Sequence, residues 1–474
     1  MKKLCYFAAV ATLVCTAACS EKKTVHVLTT TADRSNDLAE STVGFGKTSD
    51  ENVVTLDTAV SYQEMDGFGA AITGSAAYNL MHMSDSARTA FLTETFSPTK
   101  GYGMSYIRVC IGCSDFSLSE YTCCDTLGIE NFALTAEETD YVIPVLKEIL
   151  AINPDIKILA SPWTAPRWMK VEDLESRKPY ESWTAGHLNP DFYDDYATYF
   201  VKWIEAFGAE GIDIYAVTLQ NEPLNPGNSA SMVMGWDEQR DFVKHVGSKF
   251  EEAGIQAKIY AFDHNYNYDN KPDQFRYPLN IYADSVAASY LAGAAYHNYG
   301  GTPAELDSIH AARPDKELVF TESTAGFWND GQNLDRRLTA DMDDIILGTV
   351  NRNSRGSIIW NLMLDENRGP NRPGGCTTGF GAVDISDNYT KIQRNSFYYI
   401  MAHAASAVKP GAHRISVTGE VAPGLGYAAF RNPDGSLAVL ASNSTDAPQT
   451  LTICAGNEAF TLSLPEKSIV SATW

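Results

Sequence analysis

One pattern recurs eight times between residues 65 and 364 and constrains the fold more than any other feature of the sequence. In each repeat a short apolar run ends in polar or aromatic residues, and a helical stretch usually follows. The apolar runs occupy residues 65–74, 104–112, 156–166, 214–223, 257–265, 293–301, 317–324 and 357–364. Eight strands that alternate with helices are what a closed parallel barrel requires. The sequence therefore predicts an α/β fold, a (β/α)8 TIM barrel.

Three of the stretches between these runs carry clear helical signals. Apolar residues recur at spacings of three and four, acids lie near the start, and Gly or Asn lies near the end. These stretches are residues 139–153, 190–211 and 237–255. An open doubly wound sheet is the alternative, but its usual fingerprint is missing. The sequence GFGAA at 67–71 only imitates a dinucleotide-binding loop, because no third glycine falls at the required place.

The two ends of the chain have a different period. Residues 401–474 alternate in twos and turn at short polar clusters, which indicates an antiparallel β-sandwich. Residues 24–62 are also strand-like and precede the barrel. We expect both ends to build one small sandwich that shields their strand edges. The predicted domains are thus the N-terminal strands of 24–62, the barrel of 63–400 and the C-terminal sandwich segment of 401–474.

Residues 1–18 resemble a signal peptide. Two lysines precede an apolar run that is too short and wrongly flanked for a membrane span. Thr16, Ala17 and Ala18 before Cys19 resemble a bacterial lipobox, which would make Cys19 the acylated first residue of the mature chain. We therefore predict an exported outer-membrane lipoprotein that faces the periplasm or the cell surface. Its membrane contact would be the lipid on Cys19 alone, and a plain cleaved signal is the alternative.

The chain is strongly acidic, with 36 lysines and arginines against 59 acids and a net charge of −23. Removal of residues 1–18 would take away two lysines and no acid, which gives a charge of about −25. Such a surface repels nucleic acid and anionic lipid head groups and favours a neutral ligand. A solvated acidic surface explains the charge equally well, so the charge excludes partners and does not name one.

Six cysteines follow the leader, at positions 110, 113, 123, 124, 376 and 454. Export makes disulfides plausible, and the four cysteines between 110 and 124 could pair over short loops. Zinc is the alternative for these four, but Cys123 and Cys124 are adjacent and cannot easily bind one ion. Residues 263–270 have too few acids for a convincing calcium site, and an aromatic-rich loop explains them as well. We therefore predict no metal and no cofactor.

Two of the apolar runs end on a glutamate, Glu222 after the fourth run and Glu322 after the seventh. In a parallel barrel, the residues just past the carboxyl ends of the strands share one mouth, where such folds do their chemistry. A strand that runs out into solvent would explain Glu222 taken alone. A pair of carboxylates at one mouth is what cleavage of a glycosidic bond needs.

The other strand ends carry the side chains that a sugar would need. The aromatic, imidazole and amide residues at these ends are Trp163, His264, Asn265, His297, Tyr299, Trp360 and Asn361. Each aromatic residue taken singly is more readily explained as core packing. Their joint position at strand ends favours a carbohydrate site.

Six ordered blocks of the sequence resemble glycoside hydrolase family 30, the family of lysosomal glucosylceramidase and of bacterial and fungal β-1,6-glucanases. The blocks are GFGAAITGSAA (67–77), SYIRVCIGCSDFS (105–117), ILASPWTAPRWMK (158–170), VTLQNEP (217–223), AYHNYGG (295–301) and FTEST (320–324). The resemblance implies that Glu222 is the general acid/base and Glu322 the nucleophile of a retaining β-glycoside hydrolase. It also implies that a set of residues surrounds the first sugar subsite, namely Arg108, Asp115, Trp163, Asn221, His297, Tyr299 and Trp360.

This chain departs from the family pattern at two positions. Gly74 stands where relatives often have Asp, and Asn298 replaces a common Trp. The charge states of the two glutamates are also expected to differ. Arg108 and Tyr299 are placed to keep Glu322 ionised, and Glu222 is expected to hold its proton longer because it faces a carboxylate.

The predicted substrate is a neutral β-linked glucan, and the predicted activity is that of an endo-β-1,6-glucanase. Loops 329–335 and 365–375 could line an extended cleft. The alternatives within the family are a β-glucosidase, a glucosylceramidase, a xylosidase and a galactanase. A carbohydrate-binding lipoprotein without catalysis would have lost a glutamate, and a serine esterase would need the Gly-x-Ser-x-Gly motif that is missing here.

Overall fold

The computed structural model describes residues 23–46, 48–266 and 271–474. The predicted signal peptide and Cys19 lie outside these residues, as does part of the stretch weighed above for calcium. None of the helices in the described residues is both long enough and apolar enough to cross a membrane.

Eight strands close into a parallel barrel, and one strand lies in each of the eight predicted apolar runs. In chain order the strands are Gly67–Ala71, Tyr106–Ile111, Lys157–Pro162, Ala216–Thr218, Lys258–Asn265, Gly293–His297, Glu317–Glu322 and Ser354–Asn361. They are numbered below as the first to eighth barrel strands. The eighth pairs in parallel with the first and closes the barrel. The predicted (β/α)8 fold is thus confirmed.

The barrel strands are buried on both faces, which explains why they are continuous apolar runs. A layer of inward-facing side chains fills the interior below the mouth. Its members are Tyr106, Leu159, Ala216, Tyr260, Ala295, Val319 and Ile358. The barrel is therefore a packed core, and space for a ligand exists only at its ends.

Helices surround the barrel, and the three that the sequence predicts are present. The α-helices are Gly74–His82, Asp85–Phe96, Ile143–Ile152, Tyr193–Ala209, Trp236–Ala253, Tyr277–Tyr282, Ser285–Tyr290, Ala304–Ala312, Leu334–Asp341, Gly348–Val350 and Ser396–Ala407. Helix Tyr193–Ala209 shows why they form, because Tyr196, Phe200, Trp203 and Phe207 recur at spacings of three and four and are fully buried.

Nine strands from both ends of the chain form the predicted β-sandwich. They are Thr24–Thr31, Ala39–Gly44, Val53–Glu64, His413–Gly419, Leu425–Arg431, Leu437–Asn443, Gln449–Ala455, Glu458–Leu464 and Ser468–Thr473. The two ends of the chain interleave. Thr24–Thr31 pairs with Ser468–Thr473, and Val53–Glu64 lies between His413–Gly419 and Gln449–Ala455.

Helix Ser396–Ala407 joins the two domains, because it contacts both the first barrel strand and the sandwich. Its His403 is buried and bridges two sandwich strands, with Nε2 2.9 Å from Thr30 Oγ1 and Nδ1 3.1 Å from Ser471 Oγ. The predicted domain boundary between 400 and 401 falls inside this helix.

All six cysteines of the described residues are free thiols, so none of the disulfides considered above is present there. Cys123 and Cys124 each contact a separate polar group. Cys123 Sγ lies 3.6 Å from Glu138 Oε1, and Cys124 Sγ lies 3.3 Å from the Gly128 carbonyl oxygen.

Candidate active site

Glu222 and Glu322 open into one cavity at the carboxyl end of the barrel. Glu322 is the last residue of the seventh strand, and Glu222 follows the fourth. The cavity measures about 400 Å³ and is lined by Asp115, Phe116, Glu222, Asn225, Gly227, Asn228, Ser229, Asn265, Tyr299, Glu322, Thr324, Trp328, Gly374, Gly375 and Cys376. Of the two loops expected to line a cleft, 365–375 contributes its last two glycines.

A larger cavity of about 670 Å³ lies between the sandwich and the barrel. Neither glutamate reaches it, and its lining contains none of the predicted site residues. The chemistry therefore belongs to the smaller cavity at the barrel mouth.

His297 lies between the two glutamates at the end of the sixth strand. Its Nδ1 is 3.4 Å from Glu222 Oε1 and 3.9 Å from Glu322 Oε1. Because both carboxylate oxygens approach the same nitrogen, they cannot be further apart than these two distances together. The two carboxyl groups thus lie close to each other beside the same imidazole.

Glu322 is held by two hydrogen-bond donors. Arg108 Nη1 donates to Oε2 over 2.5 Å, and the Tyr299 hydroxyl donates to Oε1 over 2.8 Å. Arg108 is completely buried, so this ion pair is poorly screened by solvent. Both contacts fix the position of the Glu322 carboxyl group, and the charge that the sequence analysis expects for it stays a prediction.

Arg108 also organises three other predicted site residues. Its guanidinium lies 5.0 Å from the ring centroid of Trp163 and 5.2 Å from that of Trp360, and these two rings stack 5.0 Å apart. Its Nη2 donates to Asn221 Oδ1 over 2.8 Å. Trp163 and Trp360 are buried, so they support the arginine from below the cavity.

Glu222 is oriented by the loop that follows it. Its Oε2 accepts hydrogen bonds from the side-chain amides of Asn225 at 2.8 Å and Asn228 at 2.6 Å. The backbone of Glu222 is left-handed, with φ of 45°, and its N–H donates to the Asp263 carbonyl oxygen over 2.9 Å. A non-glycine residue in this conformation is strained, and such strain concentrates at functional sites.

The pKa values of His297 and Glu222 are shifted in opposite directions from their usual values. Burial lowers the pKa of His297, but Glu322, Asp263 and Glu222 together raise it to about 9. Burial likewise raises the pKa of Glu222, but the hydrogen bond with His297 and its positive charge lower it to about 2. The expectation that Glu222 holds its proton longer is therefore wrong, because it considered only the opposing carboxylate and not the imidazole of His297.

Asp115 faces the cavity from the loop after the second strand. Burial and the charges of Glu322 and Glu222 raise its pKa to about 8. At neutral pH this carboxyl group is therefore largely protonated and offers a hydrogen-bond donor to a ligand.

Asp263 is a central residue that the sequence analysis missed. It is fully buried in the fifth strand, with Oδ2 2.8 Å from Arg108 Nη2 and Oδ1 3.0 Å from His297 Nε2. Thr218 donates to it from the neighbouring fourth strand, and Thr321 donates to it from the seventh strand across the barrel. Its positive φ of 65° interrupts the strand. A charged residue inside the apolar run AFDHN was the signal that could have revealed it.

The two departures from the family pattern have separate structural settings. A Cβ atom at Gly74 would lie 1.8 Å from Glu137 Oε1, so a glutamate side chain fills the space beside this glycine. Burial raises the pKa of Glu137 to about 7. Asn298 is turned to the helical layer, where its amide donates to Asp344 Oδ2 over 2.7 Å.

Glu222, His264 and His297 could in principle bind a metal ion, since their ligand atoms lie within 4.8 Å of one another. The Nδ1 atom of His297 already contacts a carboxylate oxygen of Glu222 at 3.4 Å and lies 3.9 Å from one of Glu322. The hydrogen-bond network of the site accounts for the arrangement. The cysteines weighed as zinc ligands form no such group within the described ranges.

The structure thus brings all nine predicted residues to one end of the barrel. Six of them, Glu222, Glu322, Arg108, Asn221, His297 and Tyr299, are linked through hydrogen bonds or ion pairs. Asp115 joins them in the cavity lining, and the two tryptophans lie against Arg108.

Comparison with known proteins agrees with this geometry. A solved structure of an endo-beta1,6-glucanase superposes with a TM-score of 0.93 at 58% identity, covering 95% of this chain and 99% of the other. An endo-1,6-beta-D-glucanase of Trichoderma harzianum is 30% identical over 83% of this chain and 80% of its own length. The lysosomal acid glucosylceramidase of Mus musculus is 28% identical over 84% of this chain and 79% of its own.

Two domain families match adjacent parts of the chain. Residues 65–408 match the glycosyl hydrolase family 30 TIM-barrel domain, and residues 411–472 match the glycosyl hydrolase family 30 beta sandwich domain. The matched residues include both glutamates and every other predicted site residue. The chain belongs to glycosyl hydrolase family 30.

Proposed function

We propose that this chain is an endo-acting β-1,6-glucanase that cleaves with retention of anomeric configuration. The observation that carries the proposal is the 58% identity, over 95% of this chain, to a solved endo-beta1,6-glucanase. The geometry of the mouth supports it, because two carboxylates face each other across one cavity. The 30% identical fungal relative carries the same activity in its name.

In the first step Glu322 attacks the anomeric carbon and forms a covalent α-glycosyl ester, while the bond to the leaving oxygen breaks. Arg108 and Tyr299 hold the attacking carboxyl group in place at the cavity. Asn221 would donate its amide to the sugar 2-hydroxyl, a contact that strengthens as positive charge develops on the ring. Arg108 leaves that amide free, because it engages only Oδ1.

The leaving oxygen needs a proton, and His297 and Glu222 carry one between them. His297 Nδ1 lies 3.4 Å from Glu222 Oε1. The proton passes from His297 Nδ1 through Glu222 Oε1 to the leaving alcohol. Since the two groups titrate together, the proton belongs to the pair and not to one residue.

In the second step Glu222 acts as base towards water. Water attacks the anomeric carbon, its proton returns to the Glu222–His297 pair, and the ester bond to Glu322 breaks. The released sugar has the β configuration, and both carboxyl groups are restored.

A substrate panel tests the proposal. The protein is incubated with β-1,6-glucan, β-1,3-glucan, xylan and glucosylceramide, and the products are separated by length. We expect a ladder of oligosaccharides from β-1,6-glucan alone. Glucose without longer products would replace endo with exo action, and no cleavage of β-1,6-glucan would overturn the proposal.

Glucosylceramide is the second candidate substrate because the chain is 28% identical to a glucosylceramidase. The lining of the cavity opposes it. Twelve of the fifteen lining residues lack an aromatic side chain, and most are polar or glycine. A ceramide would need a continuous apolar surface beside the site, whereas a glucan needs hydrogen-bond partners.

We also propose that the chain is exported and anchored through acylated Cys19. The support is the lipobox-like sequence before this residue. Incorporation of labelled palmitate in a bacterial host tests it. Label should appear in the full chain and disappear in Cys19→Ala, and a secreted, unlabelled protein would favour a plain cleaved signal.

A further inference from the structure

Trp328 is a large apolar side chain exposed at the edge of the catalytic cavity. It is 55% exposed and lines the same cavity as Glu222 and Glu322. It lies in the short 3₁₀ turn Phe327–Asn329, just after the seventh barrel strand. Its position in the cavity lining presents an aromatic face to a ligand bound there.

Gly326 makes room for the indole of Trp328. A Cβ atom at this glycine would lie 2.2 Å from Cζ3 and 2.3 Å from Cη2 of the ring. The benzo edge of the indole therefore rests against the backbone of its own loop. Any larger residue at position 326 would push the ring away from this place.

The turn that carries Trp328 is fixed by neighbouring segments. Phe327 N–H donates to the Thr378 carbonyl over 3.1 Å, and Phe380 N–H donates to the Ala325 carbonyl over 2.7 Å. The Phe327 ring packs edge-on against Phe380, with centroids 5.1 Å apart, and the guanidinium carbon of Arg368 lies 4.8 Å from its centroid. An aromatic ring held in place before the ligand arrives loses little entropy on binding.

We propose that Trp328 is a stacking platform for a glucosyl ring next to the ring that is cleaved. The ligand is a neutral β-linked gluco-oligosaccharide of at least two units, whose C–H face would lie on the exposed indole. The platform would let the enzyme bind internal glucosyl units of a glucan, which endo action requires. This inference rests on the proposed function and names the part of the site that recognises the polymer.

Kinetics on two substrates test the platform. β-1,6-Glucan occupies several subsites, whereas β-glucosyl fluoride fills only the catalytic one. In Trp328→Ala, kcat/KM on the glucan relative to that on the fluoride should fall about tenfold, which equals about 1.4 kcal/mol of lost binding. Gly326→Ala should lower the same ratio by displacing the ring, and Trp328→Phe should restore part of it.

A matched control removes an exposed aromatic residue elsewhere. Tyr62 is 41% exposed on a sandwich strand, outside the catalytic cavity. Tyr62→Ala should leave the ratio unchanged. Thermal unfolding of each variant checks that the fold is retained, and Gly326→Ala provides the test if Trp328→Ala fails to fold.

Binding gives an outcome that does not depend on turnover. Calorimetry of Glu322→Gln should show tight binding of gentiotriose, and addition of Trp328→Ala should weaken it about tenfold. An unchanged ratio together with unchanged gentiotriose affinity would overturn the platform and leave the proposed function standing. A wild type inactive on both the glucan and the fluoride would instead overturn the proposed function.

Discussion

Asp263 and His297 form a fully buried pair, with Oδ1 of the aspartate 3.0 Å from Nε2 of the imidazole. This contact fixes the ring so that its other nitrogen faces Glu222 and Glu322. A carboxylate that binds one nitrogen of an imidazole favours the doubly protonated ring. The pair therefore places a positive charge between two acids that would otherwise repel each other.

NMR titration should distinguish the pKa values of three buried histidines. We expect His297 to keep its proton until a pH of about 9, because three acids surround it. Burial lowers the pKa of His264 to about 4 and that of His403 to about 3. Titration of histidine-labelled protein measures all three, and a His297 midpoint below pH 7 would contradict the charge assignment.

The raised pKa of His297 also determines how the stability of the protein changes with pH. The folded-state pKa of His297 lies above the usual 6.5. Its contribution to stability is therefore complete below pH 6.5 and is lost as the pH rises through 9. The free energy of unfolding, measured in urea across this range, should fall by up to about 3 kcal/mol from this residue.

His297→Gln should change the pH profile of catalysis as well as the rate. The variant removes the proton donor behind Glu222, so kcat/KM on β-1,6-glucan should fall about 100-fold. The alkaline limb of the pH profile of kcat/KM should move to lower pH, because Glu222 must then hold the proton without the imidazole. His187→Gln is the control, since His187 pairs with Glu238 away from the cavity. A lower rate with an unchanged profile would mean that His297 only supports the structure.

The two glutamates should respond differently to substitution. Glu322→Gln should stay folded and lose at least about 10⁴-fold in kcat, because no nucleophile remains. Glu222→Ala should lose most activity on glucan but regain turnover with azide on an activated aryl β-glucoside. Proton NMR of the wild-type reaction should show the β-anomer first, and an initial α-product would rule out double displacement.

Arg372 should stabilise the rim of the mouth. Its buried guanidinium donates to the carbonyls of Ser114 and Ser229, both at 2.7 Å, and so joins the loops after the second, fourth and eighth strands. Arg372→Ala should lower the free energy of unfolding by about 3 kcal/mol. Arg372→Lys should not restore this stability, because the lysine ammonium lacks the planar arrangement of N–H donors of a guanidinium. Urea denaturation measures the change in the free energy of unfolding, and Arg431→Ala, at an exposed position, is the control. Equal losses in both variants would refute this role.

The barrel could be predicted from the sequence because strands buried on both faces leave continuous apolar runs. The two glutamates were visible for the same reason, since each ends such a run. Asp263 was missed because it lies inside a run, where only a positive φ and contacts from other strands reveal its role. The charge of Glu222 was misjudged because it depends on His297, which is 75 residues away in the sequence.

The loop residues around the acid could not be predicted either. Asn225 and Asn228 bind Glu222 only because the chain turns back after Pro223, and the sequence pattern does not determine that turn. Trp328 gave no periodic signal, since it lies in a single short turn. Disulfides could not be predicted from the cysteines either. Export makes them plausible, but they form only where the geometry of the side chains permits it.

Strand Val53–Glu64 is made early in synthesis but finds both of its pairing partners near the other end of the chain. Until His413–Gly419 and Gln449–Ala455 have emerged, its two edges have nothing to bond with inside the molecule. Folding of the sandwich must therefore wait for nearly the whole polypeptide, and long sequence separation slows such pairing. Shortened versions that end after the barrel would keep two bare strand edges, and they should aggregate where the full chain stays monodisperse.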